Sequence, residues 1–205
     1  MAIFKPEPTK TSSKPTIGGS NKFLGTVEVG LTGFKDRSKE FDWADVFIDV
    51  ALSVKDSEYP NRMSILGRLD KEANGNISGG SVLKRMYNLF EIIGCNAGLN
   101  IKGEWEDDHG NPIKDIGEFL TERYTTTSEN YVAYAYKKKP KPGKKVYTEY
   151  YPKLYPNTTE GKAICEETSA WLTEKGIIQK ADASDMPQKS DVPLADTALN
   201  NLWYM

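Results

Sequence analysis

The chain has very little of what metal centres and nucleophilic catalysts need. Its 205 residues include one histidine, His109, and two cysteines, Cys95 and Cys165, which lie far apart and form no CxxC pair. A structural zinc site needs closely spaced Cys and His ligands, and a catalytic triad needs a histidine beside its nucleophile. The sequence therefore predicts no metal site, no cofactor and no enzymatic activity, with both thiols reduced.

Long apolar runs and nucleotide-binding motifs are missing as well. No stretch approaches the roughly 20 apolar residues that cross a bilayer, and residues 1–20 lack the apolar centre of a secretory signal. We therefore expect a cytoplasmic protein without a membrane partner. The glycine-rich NGNISGGS has neither GxxxxGK[ST] nor GxGxxG, so it predicts a loop. The acidic segment 104–122 predicts a solvated loop that repels or orients nucleic acid.

What the chain does have is positive charge concentrated in one segment. The formal charge is −2, yet residues 131–153, YVAYAYKKKPKPGKKVYTEYYPK, hold seven lysines and a single acid, Glu149. Lysines attract phosphates, and flat rings stack on unpaired bases, so this segment predicts single-stranded nucleic acid as the partner. The predicted stacking residues are Tyr134, Tyr136, Tyr147 and Tyr150. The predicted phosphate contacts are Lys137, Lys138, Lys139, Lys141, Lys144, Lys145 and Lys153, together with Arg62 and Arg68.

A different interpretation of this segment stays open. The lysines of a hairpin tip also keep a sheet edge soluble, and the tyrosines of its strands also pack as ordinary core residues. Composition alone does not separate this structural interpretation from nucleic-acid binding.

Hydrophobic periodicity predicts a mainly β fold with helices. Apolar residues alternate along three early strands and again along 131–137 and 145–151, with period two. Helical spacing predicts one helix from a Ser81 cap to Gly94, and another from a Thr159 cap to Gly176. Five strands with a helix between the third and fourth, and a C-terminal helix, predict an OB-fold-like five-stranded barrel. A five-stranded sandwich or an α+β layer fits the same element string.

Composition divides the chain into three parts. Residues 1–22, rich in Pro, Gly, Ser and Lys, predict a flexible arm, and residues 23–180 predict the nucleic-acid-binding domain. Residues 181–205 form an acidic tail that ends in an apolar tip. The tip either binds a partner protein or folds back on its own domain. Its predicted partner-binding residues are Leu202, Trp203 and Tyr204.

From Val27 to Pro156, the helix sequence VLKRMYNLFEIIGCNAG and the later KKVYTEYYPKLYP resemble bacteriophage-encoded single-stranded-DNA-binding proteins. The resemblance implies a non-enzymatic OB-fold that coats single-stranded DNA during replication or recombination in the host cytoplasm. It also implies that the tail recruits replication or recombination proteins. The chain departs from the resemblance at its end, where WYM replaces a single terminal aromatic or Pro-Phe, and in a less acidic tail.

Two other functions remain as alternatives. The first is a structural or adaptor protein of a phage assembly that uses the hairpin and the tail as protein contacts. The second is a nuclease or nucleotide-processing enzyme, which would need a clustered metal site that the sequence does not suggest.

Overall fold

A computed structural model describes residues 25–55, 57, 61–137 and 148–177. A single sheet of five long strands dominates the structure, with three helices around it. In chain order the elements are β1 (Gly25–Asp36), a 3-10 turn (Ser38–Glu40), β2 (Val46–Val54), β3 (Asn61–Gly67), β4 (Asp70–Lys71), β5 (Ile77–Gly79), α1 (Ser81–Ile93), β6 (Gly98–Leu99), β7 (Trp105–Glu106), α2 (Ile116–Tyr124), β8 (Thr126–Lys137), β9 (Thr148–Pro156) and α3 (Thr159–Glu174).

The long strands form a nearly closed antiparallel barrel. Their order is β3-β2-β1-β8-β9, a Greek-key arrangement in which β8 returns after a long connection to pair with β1. The two edge strands, β3 and β9, pack against each other. There the Tyr150 hydroxyl donates a hydrogen bond of 2.7 Å to Asn61 Oδ1, and both side chains are buried. The predicted OB-fold-like barrel is therefore confirmed.

Strand alternation fills the barrel interior. Along β2, Val46, Ile48, Val50, Leu52 and Val54 all point inward and are buried, as period two requires. Helix α1 adds Val82, Met86, Leu89 and Phe90 to the same core. Gly94, with φ of 73°, ends α1 in the left-handed conformation, as predicted.

The acidic segment 104–122 is more ordered than predicted. It contains β7 and most of α2, and Ile116 and Leu120 of α2 are buried in the main core. Asp115 caps this helix by accepting a hydrogen bond of 3.0 Å from the Glu118 backbone N–H. Two helices rather than one therefore separate the third and fourth long strands. The sequence signal for this short helix is weak, because charged residues are interspersed with its core-facing Ile116, Phe119 and Leu120.

Smaller differences concern the ends of elements. Gly80, rather than Ser81, occupies the N-cap of α1, without a side-chain cap bond. Thr158, rather than Thr159, caps α3, since its side chain accepts a 3.0 Å bond from the Gly161 backbone N–H. The last long strand continues to Pro156, beyond the predicted end at residue 151. None of the helices in the described ranges is long and apolar enough to cross a membrane.

Candidate nucleic-acid interface

The outer surface of the barrel has two sides, and α3 covers one of them. On β8, Val132, Tyr134 and Tyr136 point outward and pack beneath α3, where they meet Cys165 and Leu172. Tyr134 is 5% exposed and Tyr136 9% exposed. Burial raises the pKa of Tyr136 well above its ordinary value, and the nearby Glu149 carboxylate adds to that shift. Tyr134 and Tyr136 thus share one face of β8, and α3 covers that face.

Tyr150 lies on the inner face of β9, in the main core. It is buried, and burial raises the pKa of its hydroxyl above the ordinary value. A base needs an open ring face to stack on, which none of Tyr134, Tyr136 and Tyr150 provides. These three tyrosines have a packing role in the structure, so we do not retain them as stacking residues.

The predicted lysine contacts are only partly within the described residues. Lys137 ends β8 opposite Thr148, and the Lys153 ammonium lies 4.9 Å from the centre of the Tyr155 ring. The remaining predicted residues of the hairpin lie outside the described ranges: Lys138, Lys139, Lys141, Lys144, Lys145 and Tyr147. The same holds for the arm at 1–22, and for the tail with Leu202, Trp203 and Tyr204.

The other side of the barrel is the outer face of β2 and β3, which we call the β2–β3 face. Among the described elements, the helices pack mainly against β1, β3, β8 and β9 rather than β2. Outward residues pair across the two strands, Phe47 with Leu66, Asp49 with Ser64, and Ala51 with Arg62. This face therefore mixes apolar residues with Asp49, Ser64 and Arg62, and its outward side chains on β2 are buried.

A buried carboxylate organises the charges of the β2–β3 face. Asp49 is only 1% exposed, and Ser64 Oγ donates a 2.5 Å hydrogen bond to its Oδ1. Its Oδ2 lies 3.1 Å from Arg37 Nη1 and 3.2 Å from Arg62 Nη1. Two guanidinium groups thus meet at one carboxylate oxygen, which satisfies the buried charge. The Arg62 side chain is still 60% exposed, so its other donors face solvent.

Residues 37–45, the β1–β2 loop, place an aromatic cluster beside these charges. Phe41, Trp43 and Phe47 have ring centroids 5.0–6.0 Å apart. The Arg37 guanidinium carbon lies 5.0 Å from the Phe41 ring centre and 5.1 Å from that of Phe47. The loop thus joins cations and rings in one continuous surface with the β2–β3 face.

Both predicted arginines lie at this surface. Arg62 pairs with Asp49, and Arg68 Nε donates a 3.0 Å bond to the Trp43 carbonyl oxygen. Phe41, Trp43 and Asp49 were not among the residues predicted from sequence. A signal was present, because FDW places two aromatic rings two residues apart in a connection that follows the basic DRSK. The buried role of Asp49 had no such signal.

The acidic loop after β7 offers a weaker cluster. Ligand atoms of Asp107, Asp108 and His109 lie within 4.8 Å of one another. Hydrogen bonds within the loop already explain its turn, because Asp107 accepts from the backbone N–H groups of His109 and Asn111. The Asn111 side chain also donates to Asp107, and this bond, followed by the backbone bonds, lowers the pKa of Asp107. The cluster is largely exposed, and we assign it no metal.

No family model, curated protein or solved structure matches the chain.

Proposed function

We propose that this protein binds single-stranded DNA without catalysing a reaction, and that it acts in phage replication or recombination. The observation that carries the proposal is the contrast between the two sides of the barrel. One side is sealed by α3, whereas the other presents Arg62, Arg68 and the aromatic loop around a buried Asp49. Single-stranded nucleic acid binds where cations lie beside an exposed ring, and Trp43 supplies such a ring here.

The position of this surface in the barrel supports the same proposal. OB-folds bind oligonucleotides on the face of their second and third strands, and on the loops that join strands one to two and four to five. Here these are the β2–β3 face, the β1–β2 loop, and residues 138–147, whose sequence is KKPKPGKKVY. The lysine-rich segment thus joins the fourth and fifth long strands, and in OB-folds that connection contributes to oligonucleotide binding.

Phosphates are the expected contacts of the exposed cations. Arg62 is oriented by Asp49 and keeps guanidinium donors toward solvent, where it forms charge-assisted bonds to phosphate. Such contacts do not read sequence, so binding is expected to be independent of base order and to weaken as salt rises.

Fluorescence anisotropy of a labelled oligo-dT strand, titrated at several salt concentrations, tests the proposal. Arg62→Gln is expected to weaken binding and to lower the slope of log affinity against log salt by about 0.7, one phosphate contact. Arg123→Gln on α2, also an exposed arginine, is the matched control and should leave the slope unchanged. Duplex DNA and RNA serve as competitors. Absence of oligo-dT binding by the unmodified chain at low salt overturns the proposal.

A structural or adaptor role is the second candidate, and α3 provides an observation that favours it. Ile164 and Trp171, one heptad apart on α3, are both partly exposed. Such residues suit a protein contact. Size-exclusion chromatography of the full chain, compared with a chain ending at Ala181, tests this role. A complex that forms without nucleic acid and needs the tail supports it.

A further inference from the structure

Trp43 is the most exposed aromatic ring beside the cations of the β2–β3 face. It is 49% exposed and lies in the β1–β2 loop, not in the core. An indole half in water contributes little to folding. Its position is nevertheless well defined, because its ring lies 5.7 Å from that of Phe41 and 6.0 Å from that of Phe47. Trp43 therefore lies beside two aromatic groups while about half of its surface stays accessible to solvent.

Hydrogen bonds on both sides of Trp43 hold the β1–β2 loop in place. Ser38 donates 2.6 Å from its Oγ to Asp36 Oδ1, and the same Oγ accepts 2.9 Å from the Phe47 backbone N–H. Beyond Trp43, Asp45 accepts 2.9 Å from the Leu69 backbone N–H. Because the loop is already held in this way, binding loses little conformational entropy in ordering the Trp43 ring.

Two arginines contact the loop residues around Trp43. The guanidinium of Arg68 bonds to the carbonyl of Trp43 itself, and Arg37 lies over the two supporting rings. Arg62 bonds to the same Asp49 carboxylate as Arg37. A ligand that lies across this surface would meet a flat apolar ring between groups that bind phosphate. This alternation suits a nucleotide whose base is unpaired, because the bases of a duplex already stack on each other.

We propose that Trp43 is the base-stacking residue of the β2–β3 face, and that its ligand is an unpaired base of a single strand whose phosphates contact the neighbouring arginines. This inference rests on the proposed function and deepens it. The stacking role that the sequence analysis gave to the β8 and β9 tyrosines passes to a ring in the β1–β2 loop.

Trp43→Leu, tested with two strands of equal length and charge, separates stacking from charge. One strand is oligo-dT, and the other is an abasic deoxyribose-phosphate strand. The variant is expected to lose roughly 5- to 150-fold in affinity for oligo-dT, the range of one lost stacking contact. Its affinity for the abasic strand should stay within about twofold of that of the unmodified chain. The salt dependence of binding to each strand should also be unchanged, since no cation has been removed.

Trp171→Leu is the matched control, because Trp171 is 44% exposed but lies on α3, against Tyr151. It should leave binding of both strands unchanged. Thermal unfolding of both variants checks that each remains folded at the temperature of the titration.

Three outcomes overturn the inference. The first is that Trp43→Leu binds oligo-dT as tightly as the unmodified chain does. The second is that it loses affinity for both strands equally. The third is that Trp171→Leu produces the same selective loss of affinity for oligo-dT. In these cases the unmodified chain still binds single strands, so the proposed function stands while the stacking role falls. If the unmodified chain binds neither strand at low salt, the proposed function and the inference fall together.

Discussion

The α3 side and the β2–β3 face are two sides of the same barrel, but they use their outward residues differently. On the α3 side, tyrosines of β8 and β9 pack against Cys165 and Leu172 in a second hydrophobic cluster. On the β2–β3 face, arginines and a serine bond to a carboxylate, and Phe47 of β2 packs against the rings of the adjoining loop. Aromatic residues on a strand therefore do not identify a binding surface until it is known whether a helix covers them.

The comparison also separates stability from binding. Apolar packing on the α3 side should contribute to folding, whereas the exposed groups of the β2–β3 face should contribute little to it and more to affinity. Substitutions on the two sides are therefore expected to affect different measurements.

The largest effect is expected where α3 covers the barrel. Leu172→Ala removes a fully buried side chain of the second cluster and should lower the free energy of unfolding by about 2–5 kcal/mol. Ile164→Ala on the exposed side of the same helix is the control and should change it by less than about 0.5 kcal/mol. Urea denaturation measures both. Equal stability of the two variants would contradict the idea that α3 is a packed cover.

A smaller loss is expected at the seam between β3 and β9. Tyr150→Phe removes the hydroxyl that donates to the buried Asn61 Oδ1, and should lower the free energy of unfolding by about 1–3 kcal/mol. Tyr87→Phe is the control, since that exposed hydroxyl accepts only a 3.2 Å bond from the Leu99 backbone N–H. If both variants unfold at the same urea concentration as the unmodified chain, the hydrogen bond does not stabilise barrel closure.

The smallest effect, and one that depends on pH, concerns the attachment of α3 to β1. Glu28 accepts 2.6 Å from Lys162 of α3 and 2.9 Å from Lys55. Hydrogen bonds from these two ammonium groups, Lys162 first, lower the pKa of Glu28 from 4.5 to about 2. Because both lysines are substantially exposed, the stabilisation is about 1 kcal/mol rather than the full value of the shift.

A carboxylate with a lowered pKa stabilises the fold above its unfolded pKa, and this contribution disappears as pH falls through the folded pKa. Glu28→Gln should therefore be less stable than the unmodified chain at pH 7, and the difference should shrink between about pH 4.5 and pH 2. Urea denaturation at pH 7, 4 and 2 measures it. A difference that stays constant over this range would show that charge is not its cause.

The barrel strands could be predicted because their signal is local. In β2 every second residue from Val46 to Val54 is apolar, so one face must be buried whatever it packs against. The cover of the α3 side could not be predicted in this way. Tyr134 and Tyr136 alternate as half-exposed strand residues would, and only the packing of a helix that begins at Thr159 buries them.

The candidate site also has a part that could be predicted from sequence and a part that could not. Arg62 and Arg68 could be proposed from charge alone, but the partners that orient Arg62 are distant in sequence. Asp49 is 13 residues before it, and the same carboxylate also holds Arg37. Trp43 lies in the connection between β1 and β2 with Phe41 two residues before it, but its exposure and its contact with Phe47 depend on the fold.

Sequence by itself determined the alternating strands, the helix between the third and fourth strands, and the concentration of lysine in one connection, because these depend on residues next to each other. Tertiary structure decided which side of the barrel α3 covers, which rings are buried, and which arginines share a carboxylate. The physical reason is that exposure and ion pairing depend on distance in space, and antiparallel pairing with helix packing brings together residues that are far apart along the chain.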